Sequence, residues 1–164
     1  MAGNHYQDER GLIVAIISGE LSSNVRTKRQ ESFPQDKVVV CYYANWAVYR
    51  QGTAKFTPQN INPYLCTHLI YAFGGLGKDD TIVPFDEYQD IEKGGYGRFA
   101  SLKTYNKDLK TMLAIGGWNE GSRRFSPMVE DPARRQVFIK SALRFLRQYN
   151  FDGIDLDWEY PTLR

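Results

Sequence analysis

Cysteine is scarce in this chain of 164 residues, where only Cys41 and Cys66 occur. Two thiols allow one internal bridge and cannot by themselves make a four-ligand zinc site, so the sequence indicates no metal. A run of 18 or more apolar residues is also missing, which leaves nothing to cross a bilayer as a helix. Excess charge of one sign is lacking as well. Lys plus Arg number 21 against 19 Asp plus Glu, and the basic residues are dispersed after residue 30, so no footprint for nucleic acid is visible. The glycine patterns that cradle phosphates are absent too. Ala44-Asn45-Trp46 stands where a dinucleotide fold needs G-x-G-x-x-G, and Gly77-Lys78 runs into Asp79 rather than the Ser or Thr of a P-loop. No cofactor is implied.

What is present is an ordinary globular balance, 42% hydrophobic and 24% charged, in a length that suits one domain or part of one. Aromatic residues reach 14%, and several stand beside Gly or Asn rather than inside apolar runs, which suggests exposed flat rings. Residues 1–36 read as a targeting and linker segment. Residues 12–17 have about the minimum length of a secretory apolar region, with Asp8 and Glu9 where positive charge is expected, and read equally as a buried strand. Residues 20–36 are polar and without period, so they read as a disordered linker.

From Lys37 onward short apolar runs alternate with helix-length segments, the pattern of β/α units around a parallel sheet. Strands are expected at 38–43, 67–73, 111–117 and 151–158. Helices are expected at 59–65, 98–106 and 133–149, the last with an apolar stripe of Val137, Phe138, Ala142, Leu143, Phe145 and Leu146. Residues 74–97 read as a long glycine-rich loop, with Gly74, Gly75 and Gly77 as a flexible turn. Four such units fit either a doubly wound sheet or the first half of an eight-stranded barrel.

The segment that separates these is Asp152-Gly153-Ile154-Asp155-Leu156-Asp157-Trp158-Glu159. Side chains alternate along a strand, so Asp155, Asp157 and Glu159 share one face and Ile154, Leu156 and Trp158 the other. Alternate positions lie roughly 6.6 Å apart, close enough that like charges in a poorly hydrated interior resist ionising together. A proton is therefore expected to stay on the row near neutral pH. Glu159, at the carboxyl end of the strand where barrel enzymes carry their reactive groups, is the expected general acid.

The D-x-x-D-x-D-x-E pattern is similar to the signature of the family 18 glycoside hydrolases, the chitinases and chitinase-like lectins. Cys41-Tyr42-Tyr43-Ala44-Asn45-Trp46, Cys66-Thr67-His68-Leu69-Ile70-Tyr71-Ala72-Phe73 and Ala114-Ile115-Gly116-Gly117-Trp118-Asn119 resemble the family's first three strands in order. The resemblance covers residues 37–164 and implies a partial (β/α)8 barrel, with about the first four units present. It implies hydrolysis of β-1,4 linkages in chitin or chitooligosaccharides, with Glu159 protonating the leaving oxygen, the substrate's own acetamido carbonyl as nucleophile, Asp157 holding that acetamido group and Asp155 tuning Asp157. Tyr42, Trp46, Phe73, Gly116, Gly117, Trp118, Asn119 and Tyr160 would line the sugar groove, with Pro84 and Phe85 as a further contact. Cys41 and Cys66 would be joined in an oxidising, extracellular setting. His68 reads as a packed histidine, and Asp152 as structural.

The family's later motifs have no counterpart by Arg164, whereas an eight-stranded barrel takes about 250 residues. The isolated chain is therefore expected to be a partial product without glycosidase activity. The rival expectation is a carbohydrate-binding lectin on the same scaffold. Such lectins commonly lose the acid, and this sequence keeps all three carboxylates.

Overall fold

The structure is a computed structural model, and the residues it describes are 6–7, 13–17 and 37–162. Its strands in chain order are β1 (Tyr6–Gln7), β2 (Ile13–Ile17), β3 (Val39–Ala44), β4 (His68–Leu76), β5 (Ile82–Pro84), β6 (Lys110–Gly116) and β7 (Gly153–Asp157). They form one sheet in the order β1-β2-β3-β4-β6-β7, with β5 on β4. β2, β3, β4, β6 and β7 run parallel to their neighbours, while β1 and β5 are antiparallel additions. The four expected parallel strands are all present, so the chain is an α/β arc of a (β/α)8 barrel. Residues 13–17 form a strand, and the linker expected at 20–36 lies outside the described residues.

Alternation in each strand separates two apolar layers. Val39, Cys41, Tyr43, Leu69, Tyr71, Leu113 and Ile115 face outward, into the main core beneath the helices. Val40, Tyr42, Ile70, Ala72, Phe73, Met112 and Ala114 form a smaller cluster on the other, concave face. The outer layer is dominated by rings: Tyr71 lies 5.3 Å from Tyr43, 4.9 Å from Tyr96 and 5.1 Å from Phe99. Burying each such side chain contributes about 1.5–3 kcal/mol, which makes this layer the anchor of the fold.

The helices are α1 (Gly95–Ala100), α2 (Phe125–Glu130) and α3 (Pro132–Gln148). α3 starts where Asp131 accepts hydrogen bonds from the backbone N–H groups of Ala133 and Arg134 and Pro132 takes the first helical position. Its buried stripe is Phe138, Ser141 and Ala142 with Phe145 and Leu146 partly covered, whereas Val137 and Leu143 are exposed, contrary to expectation.

Three local expectations are corrected. The segment 74–97 is not a long loop, because β4 continues through Gly74 and Gly75 to Leu76 and turns back as β5. Gly77 does sit at the turn of this hairpin, but Gly74 and Gly75 lie in β4, and Gly74 is there for close approach: a Cβ on it would come within 3.0 Å of Ile115 and 3.2 Å of Leu113. The hairpin is fastened to α3 by the two-pronged Asp80–Arg134 ion pair and by the Ile82 N–H donating to Ser141 Oγ. The helix expected at 59–65 is a single turn, Pro58–Asn60, stopped by Pro63, which cannot donate to a continuing helix. The helix expected at 98–106 begins earlier, at Gly95, because Tyr96, Phe99 and Leu102 recur on one buried face.

Cys41 and Cys66 are disulfide-bonded with Cα atoms 6.1 Å apart, on the outward face of the sheet. His68 Nδ1 meets Thr67 Oγ1 at 3.0 Å, a packed histidine. Asp152 accepts from Lys103 Nζ at 2.9 Å and from the Thr111 N–H at 2.8 Å. Desolvation pushes its carboxyl up, but the Lys103 ammonium and these donors outweigh that and hold it below the usual range, a structural role.

Candidate active site

β7 pairs with β6 so that Asp155 lies opposite Ala114 and Asp157 opposite Gly116. The small partners leave the carboxylates room on the concave face. Asp155 Oδ2 accepts a 2.8 Å hydrogen bond from the Tyr42 hydroxyl, which reaches across from β3. Burial first, and then this bond, push the Tyr42 phenol well above its ordinary value, so it stays a donor at any working pH. On the opposite face Ile154 and Trp158 pack into the outer core, whereas Leu156, expected to pack with them, is 57% exposed.

Asp157 is the group most strongly affected in the row. Its pKa is raised to about 6, by desolvation first and then by the negative charges of Glu159 and Asp155. A proton is expected on the row near neutral pH, and Asp157 is a member whose burial and two flanking carboxylates favour keeping it. The row thus acts as one electrostatic group centred on Asp157.

A second set of contacts holds the end of the row. The Gly117 N–H donates to the Asp157 carbonyl at 2.7 Å. A Cβ at Gly116 would collide with that same carbonyl, and the positive φ of Gly116 (118°) and Gly117 (82°) favours glycine at both. Ser122, which the sequence did not single out, bridges the two residues flanking Glu159. The Trp158 indole N–H donates to Ser122 Oγ at 2.8 Å, and Ser122 Oγ donates to the Tyr160 carbonyl at 2.9 Å. Phe125 stacks on Trp158 at 5.5 Å and 14°, closing the clamp from the helical side.

The aromatic groups expected in the groove fall into two places. Phe73 and Trp46 stack, with centroids 6.1 Å apart and planes at 13°. Phe73 joins Ala72 on the concave face because the register with β6 slips between Ala72 and Gly74, a bulge that re-aims the ring. Gly117 backs onto this ring, since a Cβ there would stand 3.0–3.3 Å from Phe73 atoms. Tyr42, Phe73, Gly116, Gly117 and the three carboxylates are therefore brought together. Trp118, 59% exposed, and Asn119 follow on the loop after β6. Pro84 ends β5, and Phe85 shares a cavity of about 300 Å³ with Asn119, Glu120, Arg123 and Arg124 rather than joining the row. Tyr160 is held beside Glu159 through its carbonyl.

Among the described residues no group of three or more His, Cys, Asp or Glu side chains is placed to hold a metal ion. The arrangement can bind a flat-faced ligand against Trp46 and Phe73 and offer it crowded carboxyls from one side.

Comparison with known proteins agrees with this geometry. Probable chitinase 2 of Drosophila melanogaster is 49% identical over 134 residues, which are 79% of this chain and 28% of that protein. The crystal structure of an Ostrinia furnacalis Group IV chitinase in complex with allosamidin superposes with a TM-score of 0.76 at 50% identity, over 77% of this chain and 34% of that one. Human YKL-39, described as a pseudo-chitinase with retained chitooligosaccharide binding, superposes with a TM-score of 0.68 at 44% identity, over 76% of this chain and 33% of that one. The chain thus spans about a third or less of the length of these proteins. The family described as Glycosyl hydrolases family 18 matches residues 38–164, and this chain belongs to it.

Proposed function

We propose that this chain carries the acid-bearing part of a secreted chitinase, which hydrolyses β-1,4 linkages between N-acetylglucosamine units with retention of configuration. The observation that supports it most is the inward carboxylate row with Asp157 raised to about 6 between Asp155 and Glu159. In this reading Glu159 protonates the glycosidic oxygen as the bond to the anomeric carbon breaks. The acetamido carbonyl oxygen of the same sugar attacks that carbon, giving a cyclic oxazolinium ion. Asp157 accepts the acetamido N–H and balances the positive charge, and the Tyr42–Asp155 hydrogen bond keeps the deeper end of the row fixed. Water then opens the ring, giving its proton back to Glu159.

Trp46 and Phe73 offer stacked faces to the apolar side of the pyranose rings. The Cys41–Cys66 bridge supports an oxidising, extracellular setting, and no helix among the described residues is long and apolar enough to cross a membrane.

A second reading, carbohydrate binding without turnover, is favoured by the likeness to YKL-39. One experiment separates the two. Residues 38–162 replace the matching third of the Ostrinia furnacalis Group IV chitinase, and release from a fluorogenic chitobioside is followed. Hydrolysis that falls about 10²–10⁴-fold with Glu159→Gln supports the enzyme, the usual contribution of a general acid. Binding of chitooligosaccharide with no hydrolysis by either hybrid supports the lectin.

A further inference from the structure

Asp90 is among the most deeply buried carboxyls of the described residues, 1% exposed, and the acid chemistry proposed above makes no use of it. It sits in a single wide turn, Tyr88–Glu92, on the outer side of the sheet. The hydrogen bonds it receives all come from donors. Tyr71 Oη donates to Oδ1 at 2.6 Å, Tyr96 Oη to Oδ2 at 3.4 Å, the Asp86 N–H to Oδ2 at 2.9 Å, and Asn45 Nδ2 lies 3.2 and 3.4 Å from the two oxygens. Such a surrounding suits an acceptor-only group, which a carboxylate is and a carboxamide is not. Gly95 makes room for it, since a Cβ there would stand 2.8 Å from Tyr71 Oη.

The donors are not a random set. Asn45 opens the turn that carries Trp46, and its backbone neighbour Ala44 caps that turn with no side-chain bond of its own. Tyr71 stands two residues before Phe73 on β4, and Asp86 directly follows Phe85. Asp86 also takes the Tyr49 hydroxyl at 2.6 Å, from the far end of the Trp46 turn. One carboxylate behind the sheet is thereby tied to the backbone segments of two groove aromatics, Trp46 and Phe73, which stack on each other.

We propose that Asp90 is a positioning residue that fixes the Trp46–Phe73 sugar platform from the opposite side of the sheet. The inference rests on the reading of the groove as a chitooligosaccharide site. Desolvation is the largest influence on the Asp90 carboxyl and raises it, while its donors from Tyr71, the Asp86 N–H and Asn45 act in the opposite sense and favour the carboxylate. A substitution there acts on binding of longer sugars and leaves the acid row as it was.

The test uses the 164-residue chain with Asp90→Asn, and with Tyr71→Phe as the milder variant, which removes one donor from Asp90 and keeps the ring. Binding of N-acetylated chitotetraose is followed by tryptophan fluorescence. Acrylamide quenching and near-ultraviolet circular dichroism, each taken as the difference from a Trp46→Phe chain so that Trp118 and Trp158 cancel, report the Trp46–Phe73 pair. Carboxyl titration of Asp157 reports the acid row. The expected result is tetraose affinity about three- to tenfold weaker, the size of one degraded aromatic contact, with greater quenching and an unmoved Asp157 midpoint. Unchanged affinity, quenching and dichroism in both variants overturn the proposal. Loss of affinity accompanied by a shifted Asp157 midpoint also overturns it, because the effect is then a general loosening. If the unsubstituted chain has no affinity for chitotetraose, the sugar-site reading fails, and unaltered quenching and dichroism still decide against Asp90.

Discussion

Tyr42 and Asp155 stand 113 positions apart in the chain, yet the phenol and the carboxylate meet at 2.8 Å. They belong to β3 and β7, parallel strands with β4 and β6 between them. In a flat sheet three strand spacings would put those backbones about 14 Å apart. The contact is possible because the sheet curls, so the arc already has the curvature that a closed barrel needs. The carboxylate row is on the inside of that curve.

Replacing Tyr42 by Phe keeps the ring and removes the donor. Hydrogen bonds to charged groups contribute about 1.5–3 kcal/mol, and Asp155 is only partly buried, so a loss of about 1–2 kcal/mol is expected. Urea unfolding of the two chains, with equal slopes, measures it.

Ser122→Ala removes the bridge between Trp158 and Tyr160. The indole N–H resonance of Trp158 is expected to move, and stability to fall by about 1–3 kcal/mol as the indole N–H and the Tyr160 carbonyl each lose a partner. In the hybrid enzyme kcat falls while KM stays near its starting value, because the acid loses its orientation and the Trp46–Phe73 platform does not.

Reducing the Cys41–Cys66 bond, which joins residues 25 apart in sequence, is expected to cost about 3–4 kcal/mol in the chain-entropy picture. The check is the shift in denaturation midpoint on adding a reductant, against a Cys41→Ala, Cys66→Ala chain that should not respond.

The expected strands at 38–43, 67–73, 111–117 and 151–158 correspond to β3, β4, β6 and β7 because each alternates or is apolar throughout, and parallel pairing needs little more than that. The shared face of Asp155 and Asp157 was legible for the same reason, period two along β7, whereas Glu159 lies beyond the strand's end. The hairpin at Gly74–Pro84 was hidden, since Gly74 answers to contacts with Ile115 and Leu113 that no local pattern announces. Asp90 and Ser122 were hidden too. A lone Asp in an acidic stretch and a lone Ser in a polar loop acquire their partners only when Tyr71, Asn45, Trp158 and Tyr160 arrive from elsewhere in the chain.

Stability should depend on pH with a sign set by the raised carboxyls, Asp157 and Asp90, of which Asp157 sets the window. Its folded pKa, about 6, lies above the ordinary carboxylate value of 3.8, so the folded chain binds the proton more tightly than the unfolded one. That contribution is fully present below about pH 4 and is lost as pH rises through 6. Asp79, Asp80 and Asp152 are shifted downward and act in the opposite sense, at pH values below the usual carboxylate range. Denaturation midpoints measured from pH 4 to 7 should decline through this window, and Asp157→Asn should flatten the decline.

The most direct measurement is the side-chain carboxyl titration of Asp157 by carbon-detected NMR, in the chain as it stands and with Glu159→Gln. A midpoint near 6 that drops when Glu159 loses its charge is the predicted result, since the two carboxyls then share one inward row. A midpoint in the ordinary carboxylate range that ignores the substitution would contradict the account.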